Sequence, residues 1–238
     1  MTEIRQPGAY SYAFSRYLEP IARVKQGETV VIHTLDAFED RIKSEDDLPS
    51  KVLGKYLNPQ TGPIFIEGAE AGDTLCVNIE ADRDYAVSCN QPNFGGLVST
   101  PTTPFLNPPL GEKVWIYKKE GNMFRCNDKL CYEWRPFFGT IATAPDMEAI
   151  SALTPFDQGG NMDVTDICPG NKVYLPIKCD GAMFYIGDCH ARQGDGELIG
   201  TALEINGKAT LKFTVLKGKH ISWPRIENDE YIMCVGSA

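Results

Sequence analysis

Residues 187–200 read GDCHARQGDGELIG and place three carboxylates, one imidazole, one guanidinium and four glycines within fourteen positions. An apolar run, Ala182 to Ile186, leads in, and a second, Thr201 to Ile205, follows. If the chain is extended through His190, its side chains alternate between faces, so Asp188 and His190 share one side and Cys189 takes the other. An aspartate and a neutral imidazole two residues apart on one face make half of a divalent metal site, and zinc accepts both ligand types. The same alternation argues against a Cys189–His190 nucleophilic pair, since adjacent side chains diverge and only His33 and His220 are left as a base. The plainer alternative is a hydrogen-bonded structural histidine.

Two glycines flank Asp195, so the backbone of Gln193 to Glu197 reaches conformations closed to other residues and can turn a carboxylate inward. Glu197 or Asp195 can then serve as a general base if burial raises its pKa. The competing reading is an Asp-Gly hairpin turn with solvated acids. A metal shell needs an upstream partner. The run Val30 to Asp36 offers His33 and Asp36, three apart and therefore on opposite faces of a regular strand. Asp36, at the strand end, is the expected ligand. Gly139 to Pro145 is compact enough to line a pocket or make an oxyanion-type contact, and Asp163, in the run GGNMD, is a reserve ligand. Arg192 is available to fix an anionic group.

The elements that must position these groups read as short strands. Gly27-Glu28-Thr29-Val30, Gly72-Asp73-Thr74-Leu75, Gly111-Glu112-Lys113-Val114 and Gly170-Asn171-Lys172-Val173 each set a turn residue before an apolar run, the pattern of antiparallel β-structure. Further strands are expected in 62–69, 182–188, 198–205 and 209–218. One helical turn is expected at 146–150, after Pro145, and a loop or short helix at 40–48. The segment 90–111 carries five prolines and three glycines, which excludes a continuous helix or central strand and suits a flap beside a site. A chain of 238 residues is expected to form a single domain over 1–238, or two intertwined β subdomains near 1–120 and 121–238.

The formal net charge of −9 excludes a general nucleic-acid role, which needs a basic face. No apolar window is long enough for a membrane span, and the N-terminus has neither the basic nor the apolar region of a signal peptide. A cytoplasmic location and free thiols for the eight cysteines are therefore expected. A homodimer or higher homo-oligomer is expected on general grounds.

Thr61 to Asp73, Gly139 to Pro145, Gly159 to Asp163 and the run GDCHARQGDGELIGTALE occur in the order of the signature segments of the acetamidase/formamidase family, which this sequence resembles over residues 28 to 215; LDAF at 35–38 resembles its early aspartate motif. The resemblance implies a mainly β, antiparallel sandwich-like fold with short helices and long loops. It implies hydrolysis of the C–N bond of a short linear amide such as formamide or acetamide, with a divalent metal, zinc or calcium. It implies Asp36, Asp188 and His190 as metal ligands and Glu197 or Asp195 as the catalytic base. The competing classes are a β-sandwich that binds metal or ligand without catalysis, and a hydrolase of another amide or a cyclic imide.

Overall fold

The protein is described here by a computed structural model covering residues 2–80, 85–90, 111–197 and 200–236. Its architecture is mainly β, with two large sheets enclosing a shared core. One sheet has seven strands, in the order Thr2–Ile4, Thr29–Thr34, Gly207–Leu216, Thr74–Glu80, Lys172–Pro176, Arg225–Glu227 and Ile232–Cys234. The other runs Cys131–Glu133, Met123–Arg125, Lys113–Glu120, Tyr85–Asn90, Leu203–Ile205, Phe184–Arg192, Phe137–Ala142 and Gly159–Asn161. Gln60–Ile66 joins this sheet beside Phe184–Arg192, and Ala22–Val24 joins beside Gln60–Ile66. The pairing is antiparallel except where Thr2–Ile4 meets Thr29–Thr34 and where Ala22–Val24 meets Gln60–Ile66. Strands from both halves of the chain interleave in each sheet.

Local sequence explains the two kinds of strand. Gly207–Leu216 alternates buried Ala209, Leu211, Phe213 and Val215 with exposed or half-exposed polar residues, so one face meets the core and one meets water. Phe184–Arg192 is buried on both faces along almost its whole length. Phe184 and Ile186 face the opposite sheet within the main core. Tyr185 faces the other way, stacks edge-on against Phe14, and donates its hydroxyl hydrogen to the Ser15 carbonyl at 2.8 Å. Covering that outer face with the N-terminal segment is what allows a fully buried strand to carry charged groups at its far end. Along one edge this strand pairs first with Gln60–Ile66 and then with Leu203–Ile205; along the other it pairs with Phe137–Ala142.

The expected strands are present with shifted ends. The run at 198–205 shortens to Leu203–Ile205, with residues 198 and 199 outside the described region. Of the flap expected at 90–111, residues 91–110 also lie outside it. The helical turn expected at 146–150 does not form. Ile150 and Ser151 instead pair with Phe14 and Ala13, and Arg16 binds the Asp146 carbonyl and carboxylate, so contacts with the N-terminal segment override the local helical signal. The one helix among the described residues is Pro49–Val52, with proline at its first turn as its missing N–H allows. Among the described residues, Cys76, Cys126, Cys131, Cys168, Cys179, Cys189 and Cys234 form no disulfide. Among the described residues no helix is long and apolar enough to cross a membrane.

Phe184 and Phe213 join the sheets directly, with ring centroids 5.0 Å apart and planes at 70°. The Phe213→Ala variant removes this contact on the strand opposite the charged one. It is expected to lose about 3–5 kcal/mol of stability, read as a lower urea midpoint; a loss below about 1 kcal/mol would contradict the packing described.

Candidate functional site

The charged end of Phe184–Arg192 is where the chain departs from regular extension. Asp188 sits at φ 56°, a left-handed conformation that aspartate tolerates better than most residues. Phe138 pairs with Cys189 and Thr140 with Gly187, so Gly139 stands opposite Asp188. A Cβ on Gly139 would lie 2.5 Å from Asp163 Oδ1, 2.7 Å from Asp188 Oδ2 and 3.0 Å from His190 Cε1. The absent side chain is therefore the space in which three functional groups meet. Asp163 reaches it by curling back after Gly159–Asn161, its amide donating to the Gly139 carbonyl at 3.1 Å.

Glu204 enters from the other side. It lies directly across the ladder from His190, and its Oε2 is 3.1 Å from His190 Nε2; Asp188 Oδ1 is 3.3 Å from the same nitrogen. Two sets of three donors thus share one imidazole: Asp188, His190 and Glu204, all buried, and Asp163, His190 and Glu197. Phe137 closes over the ring edge-on at 4.8 Å. A cavity of about 50 Å³ adjoins the cluster, with Asp188, Glu197 and Glu204 on its polar side and Phe38, Leu57 and Leu153 on its apolar side.

The donors fit a cation. Neither carboxylate accepts a well-directed hydrogen bond from His190, and both ring nitrogens, Glu204 Oε2 and Asp163 Oδ1 are buried without a hydrogen-bond partner. Several carboxylate oxygens are gathered around one imidazole without a hydrogen bond to commit them. The separations of 3.1 and 3.3 Å are close to the edge of about 3.3 Å that a tetrahedron with bonds of about 2.0–2.1 Å requires. The arrangement is compatible with a divalent metal.

The electrostatics agree. Burial first, then the neighbouring Asp163, pushes Glu197 up to about 9. Burial first, then Asp188, pushes Asp163 up to about 8. Glu204 is likewise raised by its burial, against the lowering influence of His190. Burial disfavours the charged form of His190, but the carboxylates of Glu204 and Asp188 outweigh it and hold the ring well above the usual histidine value. Too much negative charge surrounds one imidazole, and it is relieved by retained protons or by a cation.

The expected site residues divide. Asp188, His190 and Glu197 are brought together, and the reserve ligand Asp163 joins them. Burial first, then Asp40 and more weakly Glu204, raises Asp36 to about 7. It belongs to neither set of three, and its Oδ1 accepts the amides of Phe38 at 2.9 Å and Asp40 at 2.7 Å, which clasps its own turn. Asp195 is not brought to the cluster. It is exposed, next to Gly196 at φ 80°, and lines a separate cavity of about 600 Å³ with Arg135, Asp166 and Arg192; its flanking glycines make an outward turn. His33 lies beside Glu3, its Nε2 3.3 Å from Oε2. Sequence reasoning missed Glu204. The only signal was a single acid inside the apolar run Thr201 to Ile205, which alternation alone assigns to a wet face.

Residues 11–153 and 135–232 match the family described as the Acetamidase/Formamidase family. The chain is similar to the acetamidase from Yersinia enterocolitica, with 42% identity and a TM-score of 0.89 over 95% of this chain and 70% of that one. It is similar to the acetamidase from Bacillus halodurans, with 33% identity and a TM-score of 0.86 over 95% of this chain and 75% of that one. It is 25% identical to the formamidase of Methylophilus methylotrophus over 255 aligned residues, taking in 84% of this chain and spanning 62% of the formamidase's length.

Two outcomes are expected. Asp36, Asp163 and Glu197 hold their protons to about 7, 8 and 9 in the fold, against about 4 in an unfolded chain. The ion-free folded protein therefore binds more protons across that window, and its stability falls as pH rises through it. Calorimetry should show a melting temperature that declines from about pH 5 to about pH 9, with added zinc restoring most at the alkaline end, where protons compete least. A rise over this range without zinc would refute the crowding of carboxylates. Separately, Gly139→Ala should lower the affinity for a divalent cation by about 10–100-fold by displacing Asp163 and Asp188, as measured by competition with a chromogenic chelator.

Proposed function

This chain belongs to the acetamidase/formamidase family, and from that premise we propose that it hydrolyses the C–N bond of a short linear amide to a carboxylate and ammonia at the His190 cluster. The observation that carries this reading is the convergence of two three-donor sets on one buried imidazole beside a small cavity. Asp188, His190 and Glu204 would hold a divalent cation. An imidazole nitrogen among the donors favours zinc over calcium, which takes oxygen ligands. When bound, such a cation supplies Lewis acidity, making water more acidic and a carbonyl more electrophilic.

The chain's own groups do the rest. Glu197 faces the cavity and retains a proton to about 9 without a cation; a nearby positive charge brings that value back towards neutrality, where a carboxylate both accepts and returns a proton. Glu197 takes the proton from the attacking water and delivers it to the leaving nitrogen, since an amide expels an amine only once the nitrogen is protonated. Asp163, beside Glu197, sets how readily that proton is held. Asp36 acts through Glu204 and its own turn. Phe38, Leu57 and Leu153 line the apolar part of the cavity and would limit the size of the acyl group it admits. One methyl group changes binding by only about 1–3 kcal/mol, so formamide and acetamide are the two substrates to compare.

The test is ammonia release from formamide, acetamide and a panel of longer amides and cyclic imides, before and after dialysis against a chelator. Release from the short amides that stops on chelation and returns with zinc is expected. Glu197→Gln should retain zinc and lose about 10²–10⁴-fold in kcat. Zinc binding without ammonia from any short amide would make the protein a binding module, and release only from the cyclic compounds would reassign its substrate.

A further inference from the structure

The turn before Gln60–Ile66 contributes a second layer of contacts to the cluster. Asn58 is buried and left-handed, at φ 60°. Its Nδ2 lies 2.9 Å from Thr140 Oγ1, 2.8 Å from Asn161 Oδ1, 3.3 Å from the Ala152 carbonyl and 3.4 Å from Asp188 Oδ2. The carbonyl only accepts, which fixes that end of the carboxamide as the NH₂. The opposite end, Oδ1, accepts from Gln60 Nε2 at 2.6 Å, and the same nitrogen also donates to the Asn58 carbonyl at 3.1 Å. Gln60 thus holds Asn58 one way round, with its NH₂ on the side of Thr140, Asn161 and Asp188.

The contacts continue to the second donor set. Thr140 Oγ1 lies 2.6 Å from Asn161 Oδ1 and 3.2 Å from Asp188 Oδ2. Asn161 takes hydrogens on Oδ1 and passes one on, its Nδ2 donating to Asp163 Oδ2 at 2.7 Å. A directed chain therefore runs Gln60 to Asn58 to Asn161 to Asp163, with a branch to Asp188. The two ends of the chain meet one oxygen of each carboxylate, Asp188 Oδ2 and Asp163 Oδ2, and leave the other oxygen uncommitted: Asp188 Oδ1 is the atom beside His190, and Asp163 Oδ1 is the atom without a partner. Gln60 is itself wedged, since a Cβ on Gly187 would lie 2.7 Å from its Nε2 and 2.8 Å from its Cδ and Oε1.

We propose that Asn58, locked by Gln60, is the positioning residue that aims Asp188 and, through Asn161, Asp163 at the cation shared with His190. The proposal rests on the amidase reading above. Outer partners of metal ligands act in this way by fixing the ligand's orientation and which of its atoms is free to bind. Asn58 needs no contact with substrate for this role, so its loss changes ion affinity and kcat and leaves KM nearly unchanged.

The test uses the full chain and zinc ion alone, with affinity read by chelator competition and kinetics read with formamide. Asn58→Gly deletes the carboxamide while tolerating the left-handed backbone, and Gln60→Met leaves Asn58 present but free to turn over. Melting temperature and circular dichroism identify which variants fold. Asn58→Gly is expected to lower zinc affinity and kcat about 10–100-fold, and Gln60→Met about tenfold, with KM within about twofold of the parent; if Asn58→Gly fails to fold, Gln60→Met decides. Folded variants with unchanged zinc affinity overturn the proposal and leave the amidase reading standing. A loss confined to KM also overturns it, because it would make Asn58 a substrate contact. A parent protein that neither binds zinc nor releases ammonia overturns both, and this is read from the parent alone.

Discussion

Carboxylates crowded around one imidazole are the constraint on which the rest of this molecule depends. Asp163, Asp188, Glu197 and Glu204 all contribute to groups centred on His190, and Asp36 feels the charge of Glu204 from behind. Left to themselves such groups repel, and a fold that gathers them must supply the force that keeps them together. Here that force comes from the surrounding apolar packing. Neighbouring strands hold both edges of the strand bearing Asp188 and His190, the opposite sheet covers one face and the N-terminal segment the other, so the acids have no room to separate. The strain of crowding is the same property that gives the cluster its appetite for positive charge.

The fold meets this demand with geometry more than with strong contacts. His190 and Glu204 face each other because they are ladder partners. Asp188 and Asp163 approach the ring because position 139 has no side chain. The outer face of the same strand is sealed by Phe14 and Tyr185, which keeps the interior dry and the charge interactions strong. Amide side chains and one hydroxyl then orient the acids from outside. The arrangement is layered: an apolar frame, a shell of neutral polar groups, and the charged centre.

How far this was legible in the sequence follows from the range of each interaction. Asp188 and His190 were readable because two residues along a strand share a face, a local rule. Glu197 was readable from its glycine-rich loop, but that loop suits Asp195 equally, and only the direction of the turn separates the two. Glu204 was hidden because its partnership with His190 is a register across strands, which no local pattern encodes. Asn58 was hidden for the same reason, its partners lying 82 to 130 positions away. The helix expected at 146–150 was lost to pairing with the N-terminal segment, a long-range contact that local propensity does not foresee. Strand positions, set by turn residues and β-branched runs, were far more accessible.

The interleaving of early and late strands has a bearing on how the chain comes to be made. The strand carrying the imidazole must dock beside Gln60–Ile66, which is synthesised long before it, and beside Leu203–Ile205, which emerges after it. The ladder that sets His190 against Glu204 cannot close until the chain has been made as far as Ile205. Topologies dominated by such distant pairings fold slowly and expose unpaired edges while they wait. The charged centre therefore assembles only once these distant pairings are made.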